Sequence, residues 1–238
     1  MASINELKIK YYSHLTNNSL KFKLEAQRLV QPEMAVLHAG CGADISMGLR
    51  ERTRVTVGID LDQWIVNNTD LDLGIFGNLE ILPLAEDTFD LVLSRWVLEH
   101  LEDPETFFSE VSRVLRPDGR LLILTPNMWN YAGLTIMATP HAFQRWFVKT
   151  LLKGNPDEVY PVYYRANTRS RLRSLAAQQG LYEESITFVQ GSPDLMGFTK
   201  ITYLIGVLYE RIVNRFGFLA PFREGILSVY RKNPEVQA

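Results

Sequence analysis

At 238 residues the chain is long enough for one large α/β domain or two small ones, with a sizeable core. Hydrophobic residues make up 46%, charged residues 22%, and the formal charge is −2, which excludes a chain-wide basic footprint for nucleic acid or anionic membrane. A small anionic ligand stays open. The single cysteine, Cys41, excludes an internal disulfide framework and suits a reducing compartment. The start, MASINELKIKYYSHL, has no continuous apolar run of the secretory type. The longest uncharged apolar run, ITYLIGVLY at 201–209, falls far short of the roughly 20 residues that span a bilayer. A soluble, cytoplasmic protein is expected.

No repeat, low-complexity segment or Gly/Ser linker divides the chain. From 1 to 33 the spacing of Leu20, Leu24, Leu29 and Val30 predicts helix, ended by Pro32. Residues 34–39 read as a strand, 45–51 as helix, 54–59 as strand and 61–67 as helix, with a weak strand near 75–77. FDLVLS (89–94) is the next strand. A helix over 104–115 follows, opened by Asp103 as N-cap and Pro104 in the first turn. Pro117-Asp118-Gly119 has turn chemistry, and RLLILT (120–125) is a strand. The tail reads helix (168–179), strand (183–190), long helix (about 198–215) and strand (226–232). Strands alternating with helices predict a parallel sheet with helices on both faces, and continuous apolar strands fit a sheet buried on both sides.

The stretch 128–167 differs. It holds Trp129, Tyr131, Phe143, Trp146, Phe147, Tyr160, Tyr163 and Tyr164, eight aromatics in forty residues. It lies past the carboxyl end of the 120–125 strand, the edge where open α/β sheets bind ligands. A lid over a substrate is one reading; a helical excursion packed into an ordinary core is the other.

The chemistry starts at VLHAGCGAD (36–44). Gly40 and Gly42 after a buried strand allow a sharp turn and close approach of a ligand to the main chain. VTVGIDLD (55–62) ends a strand on Asp60, 20 positions after Gly40, the spacing that suits a carboxylate on ribose hydroxyls. A dinucleotide fingerprint needs a third glycine, but that slot is Ile45, and Asp44 would repel a pyrophosphate. A ribose-bearing cofactor without bridging phosphate is favoured, and S-adenosylmethionine (AdoMet) is one.

VLHAGCGAD resembles motif I of the class I AdoMet-dependent methyltransferases, VGIDLD resembles their motif II, and GNLEILPLAEDTFDLVLSRWVLEHLEDPETFFSEVSRVLRPDGRLLILTPN is similar to their later motifs. The resemblance covers about 34–127, in order and spacing, and points to small-molecule methyltransferases. It implies a Rossmann-like α/β fold: a mostly parallel seven-stranded sheet with helices on both faces, plus a helical lid. One domain over 1–238 is expected: an N-terminal helical cap (1–33), an AdoMet-binding core (34–127), an aromatic substrate lid (128–167) and a C-terminal helix-strand-helix-strand unit (168–238). The resemblance further implies that Gly40, Cys41 and Gly42 meet the methionine part through main-chain atoms. Asp60 would hold the ribose, Leu61 one adenine face, Asn78 the adenine amino group and Leu79 the ring edge. Ser94 and Arg95 would reach the methionine end. His38 stands where the family carries an acid that orients the AdoMet ammonium; a neutral imidazole can accept that bond and an imidazolium cannot. For Cys41 itself, a small buried side chain is favoured over a nucleophile.

Methyl transfer from a sulfonium needs alignment and exclusion of water, with a base only for a hydroxyl or a protonated amine. The candidates are His100, in VLEHL, and His141, in ATPHAF, with His14 behind them. WVLEHL also invites comparison with the E-x-x-E-H metal motif of related O-methyltransferases. Trp96 replaces its first carboxylate, so no metal is expected. Trp96, Asn127, Trp129, Tyr163, Tyr164 and Arg165 are the candidate substrate contacts; an arginine among tyrosines can grip an anionic or sugar-like group. The function expected is O-methylation of a sugar, lipid-linked or secondary-metabolite intermediate. N-methylation, nicotinamide-dependent oxidoreduction and non-catalytic AdoMet binding are the alternatives. The apolar helix at 198–215 either packs on its own chain or serves as a homodimer or peripheral lipid contact.

Overall fold

The computed structural model describes residues 3–12, 17–42, 47–140, 142, 150 and 160–234. Helices α1 (Ile4–Tyr11) and α2 (Asn18–Leu29) precede β1 (Ala35–Ala39), β2 (Val55–Asp60), β3 (Leu73–Phe76) and β4 (Phe89–Arg95). Then come α3 (Pro104–Val114), β5 (Leu115–Pro126), α4 (Tyr131–Ala138) and α5 (Arg169–Gln178). Strand β6 (Leu181–Val189), helix α6 (Lys200–Arg215) and strand β7 (Gly225–Lys232) follow. The strands form one 7-stranded sheet in the order β3-β2-β1-β4-β5-β7-β6. All pairs are parallel except those of β7 with β5 and β6. This is the expected architecture.

Both faces of the central strands are covered, which is why they are apolar throughout rather than alternating. Leu37, Ile59, Val92 and Ile123 pack in one core with Phe107, Phe108 and Val111 of α3 and Leu172 and Leu175 of α5. Their chain neighbours Val36, Leu91, Leu93, Leu122 and Leu124 pack in a second core with Phe22 and Ala26 of α2. Helix α3 begins as its sequence dictates: the Asp103 side chain accepts the Thr106 amide at 3.0 Å, with Pro104 in the first turn.

Three local expectations are corrected. Of the helix expected over 45–51, only residues from 47 on are described, and these form just a short 3₁₀ turn at Arg50–Arg52. The Met47 and Gly48 amides instead donate to the Asp70 carboxylate, and Gly48 has φ +64°, which a right-handed helix cannot use. The segment after β2 is a 3₁₀ turn at Gln63–Asn67 rather than an α-helix. Pro117-Asp118-Gly119 lies inside β5 as a bulge: pairing with β4 jumps from Phe89↔Leu115 to Leu91↔Arg120, and Asp118 sits at φ +66°.

The strand order reverses between β1 and β4. Ligands of open α/β sheets bind beyond the carboxyl ends of the strands at such a point.

Candidate active site

The chain leaves β1 through the glycine pair. Gly40 has φ +74°, and a Cβ there would stand 2.1 Å from Val97 Cγ2, so both conformation and packing demand glycine. Its amide donates to the Ile59 carbonyl at 2.8 Å. Gly42, at φ +62°, donates its amide to Asp60 Oδ2 at 2.7 Å, and the Asp62 amide donates to Asp60 Oδ1 at 2.9 Å. An ionised carboxylate has about four acceptor positions. Two are filled here by main-chain donors, which aim the group and leave capacity on each oxygen for ribose hydroxyls. Cys41 is fully buried against Ile65 and Leu71, and burial together with the Asp60 charge pushes its thiol up to about 12. It packs; it is no nucleophile.

On the adenine side, Leu61 is exposed, and so is Phe76, which pairs in register with Asp60. The Phe76 ring was not singled out in the sequence, where it reads only as the end of a weak strand. Asn78 is exposed, with its side-chain oxygen accepting the Glu80 amide at 3.0 Å. Leu79 belongs to the buried core.

At the ends of β1 and β4 lie three buried polar atoms without protein partners: His38 Nε2, Ser94 Oγ and Arg95 Nε. His38 and Arg95 lie on the sheet face of the second core and near enough for the Arg95 charge to act on the imidazole, while Ser94, paired with Ala39, lies on the other face at the same end of the sheet. Burial, and then the Arg95 charge, drive the His38 imidazole down to about 3. It is neutral at any ordinary pH and able to accept a bond from an ammonium. Orphaned buried groups are uncommon in folded proteins, and such groups at the strand ends fit the polar end of an amino-acid-bearing cofactor.

Beside it, a cavity of about 300 Å³ is lined by Trp96, Glu99, His100, Asn130, Gly133 and Tyr164 among others. Glu99 is the residue that sequence reasoning missed as an acid–base group. The residue is 5% exposed, Oε2 has no partner among the described residues, and burial raises its carboxyl to about 8. The only hint in the sequence was a carboxylate set between Leu98 and Leu101 in an apolar run. His100 Nδ1 lies 2.7 Å from the Pro161 carbonyl, and Nε2 lies 3.9 Å from Glu99 Oε1. A carbonyl can only accept, so the Nδ1 atom carries the proton and the Nε2 lone pair is left free. His141 lies outside the described residues.

The substrate candidates divide. Trp96, at φ +56°, and Tyr164, at φ +52°, both line the cavity; the Trp96 indole donates to Ser19 Oγ at 3.3 Å. Asn127 also lines it, but its amide nitrogen donates to the Pro221 and Arg223 carbonyls at 2.6 and 2.8 Å, which makes it a brace between segments. Trp129 is half exposed next to it. Tyr163 and Arg165 are corrected: neither lines the cavity, because the Tyr163 hydroxyl donates to the Glu102 carboxylate and the Arg165 guanidinium to the Glu102 carbonyl.

The family described as methyltransferase domain matches residues 37–123, from β1 to within β5. Over those residues the chain is similar to methyltransferase domains, in keeping with the motifs at Gly40–Gly42 and Asp60. One relative, a "probable S-adenosylmethionine-dependent methyltransferase" of Mycolicibacterium smegmatis, is 40% identical over 39% of this chain and 38% of its own length. A ubiquinone biosynthesis O-methyltransferase of Coxiella burnetii is 25% identical over 81% of this chain and 85% of the relative. Among solved structures, the YcgJ protein of Bacillus subtilis covers 90% of this chain and 99% of its own at TM-score 0.59 and 16% identity, a likeness of fold. The chain thus spans under two fifths of the M. smegmatis relative's length. AdoMet is the cofactor that the matched domain implies, and Asp60, the main chain at Gly40 and Gly42, and the orphaned polar atoms of His38, Ser94 and Arg95 are the groups that fit it.

Two outcomes check this geometry. Asp60→Ala should weaken binding of S-adenosylhomocysteine by about 2–3 kcal/mol in calorimetry, from the loss of charge-assisted bonds to the ribose. Glu99→Gln should grow more stable than wild type as pH rises. The wild-type fold holds a proton on Glu99 up to about pH 8, whereas the unfolded chain releases it near pH 4.5. Wild-type stability should therefore fall through that window by about 1 kcal/mol per pH unit relative to the glutamine variant, and run parallel to it above. Urea titrations at pH 5 to 9 read the difference.

Proposed function

We propose that this methyltransferase moves the methyl group of AdoMet to an oxygen of a small molecule held in the cavity between the ends of β4 and β5 and helix α4. The observation that carries the reading is the pair of Glu99 and His100 in that cavity, one residue turn beyond the orphaned groups of β4. When bound, AdoMet supplies a methyl group already activated as a sulfonium, so the protein's task is alignment, exclusion of water and removal of one proton.

His100 takes that proton. The Pro161 carbonyl fixes the ring with Nδ1 protonated, and Nε2 is presented beside Glu99. Glu99, protonated at neutral pH, adds no negative charge that would raise the cost of burying a neutral hydroxyl there. Tyr164 and Trp96 give the cavity apolar walls with polar tips, suited to a sugar, lipid-linked or secondary-metabolite acceptor. The relative in ubiquinone biosynthesis supports oxygen as the methylated atom. N-methylation is the second reading, favoured by the acidic side chain of Glu224 in the cavity wall, which would draw an ammonium. A buried Cys41 thiol suits a reducing cytoplasm, where we place the reaction. Among the described residues, no helix is long and apolar enough to cross a membrane.

The test uses AdoMet carrying an isotopic label on its methyl group and small-molecule extracts of the source cells. Wild type should label an extractable compound, and the position of the label by NMR distinguishes O- from N-methylation. His100→Ala should reduce single-turnover transfer by roughly 10²–10⁴-fold while S-adenosylhomocysteine affinity stays within about threefold of wild type. A rate unchanged in that variant would remove His100 as the base and leave transfer to alignment alone.

A further inference from the structure

Helix α6 is covered on one side only. Tyr203, Gly206, Val207, Glu210 and Val213 turn inward, and a Cβ on Gly206 would stand 2.5 Å from Pro193 Cβ. The opposite stripe carries Ile201, Leu204, Ile205, Leu208 and Ile212, which are 42 to 73% exposed. It runs on past the helix in Phe216, Phe218 and Phe222, the middle one 76% exposed. Eight large apolar side chains therefore face outward within residues 201–222. The reading in which this helix is buried on its own chain accounts for its inner face and leaves this one bare. A continuous apolar surface of this extent marks a contact site.

Charge indicates what covers it. Between 200 and 222 the only acid is Glu210, and it is buried, accepting bonds from the Tyr12 hydroxyl and the Asn214 amide. The charges bordering the stripe are Lys200, Arg211 and Arg215, which fall with Leu204 along one line of the helix. Arg211 donates to a main-chain carbonyl, that of Tyr11, and Arg215 stacks over Phe216, so among the described residues neither charge is met by a carboxylate. A helix with an apolar stripe bordered by cations is built to lie in the interface of an anionic bilayer. A second copy of the chain meets the stripe less well: a two-fold contact would bring two sets of these cations together with no acid to receive them.

We propose that α6 and the Gly217–Phe222 turn dock the protein on an anionic phospholipid surface. The docking stands independently of the reaction proposed above. It also places the cavity close to the lipid boundary. Leu195, just before α6, lines the cavity, and Tyr209 of α6 packs edge-on against Tyr131 at 5.0 Å.

The experiment is vesicle co-sedimentation of the full chain, with vesicles of phosphatidylcholine alone and of phosphatidylcholine with phosphatidylglycerol. The protein should partition at least tenfold more strongly to the anionic vesicles, and high salt should weaken it. Leu204→Glu with Leu208→Glu should abolish binding, with circular dichroism and cofactor affinity unchanged, because both side chains are exposed. Should that variant fail to fold, Arg211→Gln with Arg215→Gln decides, with an expected loss of the preference for anionic vesicles. No vesicle binding by wild type, or binding unmoved by the substitutions, would overturn the proposal. So would light scattering that shows a dimer which the leucine pair converts to monomers, since the face would then be a self-contact.

Discussion

The carboxylate of Asp60 ties two strand ends into one site. It receives the amide of Gly42 on one oxygen and that of Asp62 on the other, so the loops after β1 and β2 share a single anionic centre. That bond is available only because Gly42 takes a positive φ and Gly40 passes under Val97 without a side chain. The parallel sheet supplies the rest: register places Gly58 of β2 beside His38 of β1, and the strand order reverses on the other side of β1. Glycine geometry, sheet register and one carboxylate thus meet at one point of the sheet.

The same end of the sheet concentrates polar groups that the fold leaves unsatisfied. Of the nine buried side-chain atoms without a partner among the described residues, five belong to His38, Ser94, Arg95, Glu99 and Asn167. Each such atom costs stability of about 1–3 kcal/mol. The two apolar cores on either face of the sheet offset that cost by packing. Burial then sets the chemistry: it keeps His38 neutral, holds a proton on Glu99 and keeps the Cys41 thiol inert. Three titratable side chains toward the carboxyl end of the sheet are driven to their uncharged forms. A site of this kind is prepared for a ligand that brings charges of its own.

How much of this was legible in the sequence follows the range of the interactions involved. The glycine pair, Asp60 and the strand pattern were readable because each is a local signal, and the sheet they predict is the one found. The helix expected at 45–51 was not, because the Met47 and Gly48 amides are captured by Asp70, more than twenty residues away. Tyr163 and Arg165 looked available until the fold brought them to Glu102, about sixty positions earlier. Glu99 stood in plain view beside His100, yet its acid–base character comes from burial by the fold around it, which no local pattern encodes. The helix at 198–215 was apolar nearly all round in sequence, and only packing could decide which stripe stays outside.

Titration calorimetry of the wild-type chain with S-adenosylhomocysteine, and separately with NADH, bears most directly on the claim that the glycine pair and Asp60 hold a phosphate-free ribose cofactor. The geometry predicts one S-adenosylhomocysteine per chain and no heat of binding with NADH. Saturable binding of NADH with none of S-adenosylhomocysteine would contradict it.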